Sequence, residues 1–245
     1  MDGVELTYLE RSPIDPARAV AQHAAYEAAL TASAIPVHHL PALPGHPDCA
    51  FVEDVAVSLP ECIVLCRPGA ESRQGEVASV AAALLDDRPR YAIASPGTID
   101  GGDVLTVGRT LHVGRSHRTS DVAIRQLAGI VAAYGYRVEA VEVCGALHLK
   151  TAVTAPAQGV LVANRCWVSL DAFDADTVVE VPETEPFGAN TLPVGKDRAL
   201  VHSGAPVTAE RLSACGVDVT CVDIGEFGKA EAGLTCLSIV VPAVA

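Results

Sequence analysis

The sequence predicts an α/β protein arranged as a ring of five like units, each with the order strand–strand–helix–strand, in which the first strand of the ring is missing. Three observations predict it. Two short apolar runs, a helical run and a further apolar run recur four times at spacings of roughly 40 residues. A helix and strand before these repeats and a lone strand after them are left over, and joined they make most of a fifth unit. Strands also come in twos, whereas a doubly wound open sheet, the alternative, alternates one strand with one helix. No linker or shift in composition divides the chain, so residues 1–245 read as one domain.

The elements follow in order. Asp15 reads as an N-cap with Pro16 at the first helical position, and residues 17–33 continue as a helix. Residues 35–39 read as a short strand and 41–48 as a Pro- and Gly-containing loop. Residues 51–59 alternate in part and 62–66 are continuously apolar, which predicts a hairpin around 58–61. Ser72 caps a helix running to Asp86, and 91–94 returns as a strand. In the second repeat, strands 104–107 and 111–113 pair across Gly108-Arg109, Thr119 or Ser120 opens a helix to Tyr134, and 137–143 is a strand. The third has strands 147–153 and 159–163, a short helix near Leu170 and a strand at 177–180. The fourth has strands 190–194 and 198–202, a helix over 207–214 and a strand at 217–222, after which 238–244 is the lone final strand.

Half of the residues are hydrophobic but only 4% are aromatic, so the core must rest on Ala, Val, Leu and Ile. Against 17 Lys and Arg stand 30 Asp and Glu, and a net charge of -13 repels nucleic acid and anionic lipid, excluding both as partners. The same sign suits a cationic small molecule. No stretch approaches the roughly 20 apolar residues of a membrane span, and the acidic N-terminus lacks the pattern of a signal peptide. The expected location is the cytoplasm. The 8 cysteines contain no Cys-x-x-Cys pair, so most read as small buried hydrophobes in a reducing compartment.

Four segments could carry chemistry. Gly233-Leu234-Thr235-Cys236 places a thiol at the entry to the last strand, His148 stands between two leucines, Asp100-Gly101-Gly102-Asp103 opens the second repeat, and Glu53-Asp54 interrupts an apolar run. Each also has a plain structural reading: a buried thiol, a satisfied core histidine, an Asp-Gly turn, an exposed edge strand. In a strand, Glu53 and Asp54 would face opposite sides, so one of them should point inward, where a carboxylate needs a partner. Together the four occupy the same place in successive repeats, at the start of the first strand, and in a ring those places converge on the axis. One Cys, one His and several carboxylates would then meet.

The segments Pro47-Asp48-Cys49-Ala50-Phe51-Val52-Glu53-Asp54, Arg67-Pro68-Gly69-Ala70-Glu71-Ser72-Arg73, Asp100-Gly101-Gly102-Asp103-Val104-Leu105, Leu147-His148-Leu149-Lys150 and Leu234-Thr235-Cys236 resemble, in this order, the dimethylarginine dimethylaminohydrolases of the guanidino-group-modifying (pentein) superfamily. The resemblance runs from about Asp15 to Val241. It implies the five-unit propeller-like fold, hydrolysis of N-methylated arginines to citrulline and an amine, and no cofactor. It further implies Cys236 as nucleophile and His148 as acid and base, with Asp100 orienting the guanidinium and His148. Glu53 and Asp54 would hold guanidinium nitrogens, Asp48 the substrate α-amino group, Arg73 and Arg118 its α-carboxylate, and Ala230 would offer a backbone carbonyl. A thiolate and an imidazole are also zinc ligands, so Cys236 and His148 would give Zn²⁺ an inhibitory contact, although two ligands fall short of a structural site.

Family members begin with a further strand before the equivalent of Leu6-Thr7-Tyr8, where this chain has Met1. Its loss would leave 238–244 with an unpaired edge that invites association, with a homodimer as the expected product. Arginine and agmatine deiminases are the alternative within enzymes. They carry an acidic residue two positions after the catalytic His, where this chain has Lys150. A non-catalytic ring that binds a partner is the alternative outside enzymes, and it has no reason to keep a Cys, a His and acids at converging places.

Overall fold

The computed structural model describes residues 3–84 and 87–243. Four three-stranded sheets form its frame, and each repeats one topology: the first strand is antiparallel to the second, and the second is parallel to the third. Contacts gather the chain into two compact units, Met1–His39 with Lys150–Thr235, and Leu40–Leu149 with Cys236–Ala245.

The second of these units holds two sheets. β1 (Ala56–Ser58) and β2 (Ile63–Leu65) form the expected hairpin, with the Leu59 N–H on the Cys62 carbonyl at 2.9 Å, and β3 (Arg90–Ala92) lies parallel to β2. β4 (Val104–Val107) and β5 (Thr110–Arg115) turn at Gly108, whose φ of +57° suits glycine, and β6 (Arg137–Glu142) pairs along all of β5. Between the strands run α2 (Val77–Ala83) and α3 (Asp121–Val131), the latter capped by Ser120. Leu111, Val113, Leu127 and Val131 pack with Cys62, Val64 and Ile99 in one aliphatic core, as the scarcity of aromatics required.

The first unit opens on α1 (Pro16–Ala32), where the Asp15 carboxylate accepts the Ala17 and Arg18 N–H groups and Pro16 takes the first helical position. Its sheets are β7 (Val153–Ala157), β8 (Val160–Ala163) and β9 (Thr177–Glu180), then β10 (Leu192–Gly195), β11 (Arg198–His202) and β12 (Asp218–Val222). A helical turn, α4 (Leu149–Ala152), leads into β7, α5 (Pro206–Ala214) crosses between β11 and β12, and α6 (Gly225–Gly228) follows β12. Val162, Ala199, Val201 and Leu212 form its core.

Several sequence expectations need correction. Residues 35–39 form no strand: Ala34 turns through φ +62°, the Ile35 N–H closes on the Leu30 carbonyl, and Pro36 has no donor to give a ladder. Residues 52–55 are a 3₁₀ turn, so the strand begins only at Ala56. Ser72 does not begin an α-helix: it lies inside a 3₁₀ segment, Glu71–Glu76, that precedes α2 and buries Arg73; the expected helix end, Asp86, lies outside the described residues. No helix forms near Leu170, where Ser169 and Asp171 bond to each other and compete with helical pairing. The predicted strand 147–153 is a helical turn up to Ala152. Among the described residues 238–243 pair with no strand, and Pro242 removes a donor there; residue 244 lies outside them.

Candidate active site

The residues singled out in the sequence sit in short turns, just ahead of the first strands and not within them. Glu53 and Asp54 lie in the turn Val52–Val55 before β1, Asp100 heads the turn Gly101–Asp103 before β4, and His148 heads α4 before β7. Cys236 is the middle residue of a further turn, Thr235–Leu237. A strand would have turned one of Glu53 and Asp54 outward; the turn buries both, at 8% and 2% exposure. Two glycines make this possible. A Cβ on Gly101 would lie 2.0 Å from the Glu53 carbonyl oxygen, and one on Gly102 would lie 2.6 Å from His148 Nδ1, so the backbone approaches both groups as only glycine allows.

His148 is buried among carboxylates. Its Nε2 is 3.0 Å from Asp100 Oδ2, and its Nδ1 is 3.8 Å from Asp54 Oδ1. Burial alone pushes the imidazolium down, but Asp54, then Asp100 and Asp103, outweigh it and lift the group to about 9. The carboxylates thus favour the charged ring, in which Nε2 donates to Asp100. Asp100 is itself fixed by the Gly69 N–H at 2.8 Å. Burial would raise Asp54, but His148 and Arg73 hold it below the usual carboxylate range, and the Gly102 N–H bonds its Oδ1 at 3.1 Å.

Arg73 was expected to grip a substrate carboxylate. It is buried among these turns: Nη1 meets Asp54 Oδ2 at 2.5 Å, Nη2 meets Glu76 Oε2 at 2.9 Å and the Phe51 carbonyl at 2.8 Å, and Nε faces Glu76. Both edges of the guanidinium fork are engaged within the protein, because two buried carboxylates need a cation more than the surface does. Arg118 is half-buried, its backbone against Gly69, where a Cβ would come within 2.5 Å of the Arg118 carbonyl oxygen. Asp48 is buried at the start of this region. Ala230, in the other compact unit, is buried with its N–H on the Phe227 carbonyl. All eight cysteines are described and none is disulfide-bonded; Cys236 is buried.

Asp103, Glu76 and Asn190 join the region without having stood out in the sequence. Asp103 is fully buried, accepts the Leu149 N–H at 2.9 Å and the hydroxyls of Ser116 and Thr119, and so pins the residue after His148. Burial raises its carboxyl to about 6 against those bonds and the nearby His148. Its signal was present in Asp100-Gly101-Gly102-Asp103, where the second Asp passed as part of a turn. Among the described residues, Asp54, Asp100 and His148 offer ligand atoms within 4.8 Å of one another and are the group that could hold a metal ion; Cys236 does not belong to it.

The geometry supplies a positioned acid in an acidic surround, suited to protonating a leaving group next to a bound cation. No protein-family model matches the chain. A dimethylarginine dimethylaminohydrolase of Streptomyces coelicolor is 38% identical over 96% of this chain and 90% of its own length. That of Pseudomonas aeruginosa is 33% identical over 98% of this chain and 94% of its own. A solved structure of the Pseudomonas aeruginosa enzyme, a Cys-to-Ser variant complexed with citrulline, superposes with a TM-score of 0.88 at 31% identity, covering 96% of this chain and 92% of the other. With near-complete coverage at these identities, the chain belongs to the dimethylarginine dimethylaminohydrolase family.

Proposed function

We propose that the chain hydrolyses N-methylated arginines, namely asymmetric dimethylarginine and monomethylarginine, to L-citrulline plus dimethylamine or methylamine. The observation that carries this reading is the buried His148 ring between Asp100 and Asp54, in a chain of this family. A guanidinium is a delocalised cation, and the Glu53 and Asp54 turn brings the negative charge that would hold it planar. Asp48 takes the substrate α-amino group, Arg73 and Arg118 its α-carboxylate, and Ala230 a further polar contact through its carbonyl. Arg73 also pairs with the buried Asp54. The four repeats and the flanking segments form a single five-unit ring in this reading, which the recurring sheet topology supports.

Cys236 attacks the guanidino carbon as thiolate, the form that the bound cation favours. A C–S bond forms, the C–N bond to the methylated nitrogen breaks, and His148 gives its proton to the departing amine. Water then adds to the same carbon and gives a proton to the now neutral His148. The C–S bond breaks, Cys236 leaves as thiolate, the remaining hydroxyl proton passes to solvent, and the urea of citrulline is complete. The released amine takes up a proton from solvent.

The test is product release from asymmetric dimethylarginine, arginine and agmatine by wild type and Cys236→Ser. Citrulline from the dimethylated substrate, lost in the variant, is the expected result. Faster turnover of arginine, or carbamoylputrescine from agmatine, would move the chain to the deiminases, and no product from any of the three would refute the reading.

A further inference from the structure

The side-chain amide of Asn190 spends both of its donors and its carbonyl on two segments far apart in sequence. Nδ2 donates to the Lys150 carbonyl at 2.9 Å and to Thr235 Oγ1 at 3.1 Å, and Oδ1 accepts the Thr235 N–H at 3.1 Å. Asn190 is 4% exposed, so a bond lost there would leave a buried polar group unsatisfied. Gly233 makes the space: a Cβ on it would lie 2.3 Å from the Asn190 amide, closer than atoms can approach.

The covalent chain gives this bridge its meaning. Lys150 follows His148 by two residues, within the turn that His148 heads, and Thr235 immediately precedes Cys236 in the turn Thr235–Leu237. Asn190 also stands just before β10, the place where the other three repeats carry Glu53 and Asp54, Asp100 and Asp103, and His148. We propose that Asn190 is a positioning residue: one buried amide fastens the turn that bears the acid and base to the turn that bears the nucleophile. Such a tie fits a reaction in which His148 acts twice, first giving a proton and then taking one, with a covalent intermediate between. A hydrophobic contact at this place would hold the two turns together without fixing their register, whereas three directional bonds fix both. The inference rests on the roles given above to Cys236 and His148.

The test is Asn190→Asp, the same shape with its two donors removed, so that a carboxylate oxygen faces the Lys150 carbonyl. The folded fraction is measured by near-ultraviolet circular dichroism. Then kcat and KM for asymmetric dimethylarginine, and the pH dependence of Cys236 alkylation by iodoacetamide, are measured per folded molecule. The expected result is a kcat lowered about 10²-fold, as for a displaced reacting group, with KM little changed and the alkylation profile displaced from wild type. Wild-type kcat with a wild-type alkylation profile would overturn the inference, whatever the melting temperature. If Asn190→Asp does not fold, Thr235→Val removes one bond of the three; a kcat lowered roughly threefold to tenfold supports the tie, and an unchanged kcat overturns it. A wild type that releases no citrulline counts against the assignment of function instead, and the alkylation comparison then still decides the tie.

Discussion

Replacing Asp54 by Asn tests whether a carboxylate is what keeps His148 charged. The substitution preserves shape and still accepts the Gly102 N–H, but removes the charge 3.8 Å from His148 Nδ1. At an effective dielectric of about 20, that charge is worth about 4 kcal/mol to the imidazolium, or about three pH units. His148 should therefore fall from about 9 to about 6, since burial opposes the charged form and Asp100 and Asp103 are left to favour it. The assay is an NMR titration of the imidazole, assigned by its absence in His148→Gln. Stability must follow with a definite sign. His148 is raised above its ordinary 6.5, so its contribution is complete below pH 6.5 and is lost as pH rises to about 9. That is about 3 kcal/mol at about 1.4 kcal/mol per pH unit. Urea denaturation of the wild type should show this loss between pH 6.5 and 9, and Asp54→Asn should not, even though its stability is lower throughout. A His148 that titrates near 6.5 in the wild type, or near 9 in the variant, would refute the reasoning.

Arg73→Met removes the guanidinium that buried Asp54 and Glu76 share and should cost about 3–5 kcal/mol in urea denaturation; a stable variant with only a raised KM would show that Arg73 serves the substrate carboxylate and not the fold. Glu231, at φ +60°, receives the N–H groups of Thr7, Tyr8 and Leu9 at 2.9, 2.5 and 2.5 Å, so Glu231→Ala should speed hydrogen exchange at those three amides by about tenfold or more. Exchange unchanged at residues 7–9 would show that the carboxylate does not hold that segment.

How much the sequence disclosed depended on the length of each element. The Asp15-Pro16 start of α1 is a local signal of cap and proline, and it appears as expected. Strand 177–180 was bounded to the residue, because Thr, Val and Glu there sit between turn residues. The turns that carry the chemistry were not legible, since three or four residues span too little of any period to show one. Their burial of Glu53 and Asp54 together follows from Arg73 and His148, partners distant in sequence that no alternation pattern reports. The candidate residues themselves were visible because a charge or a thiol in an apolar run stands out. Asn190 did not stand out, as Ala189-Asn190-Thr191 looks like any polar turn until Lys150 and Thr235 are seen beside it.

The third strand of each sheet lies at a sheet edge, and each carries charge: Arg90 on β3, Arg137, Glu139 and Glu142 on β6, Glu180 on β9 and Asp218 on β12. An incoming strand from another molecule would have to desolvate those groups to add its own ladder, at a cost that short strands of three to six residues cannot repay. At high concentration these edges are thus shielded against growth of the sheets into fibres or precipitates.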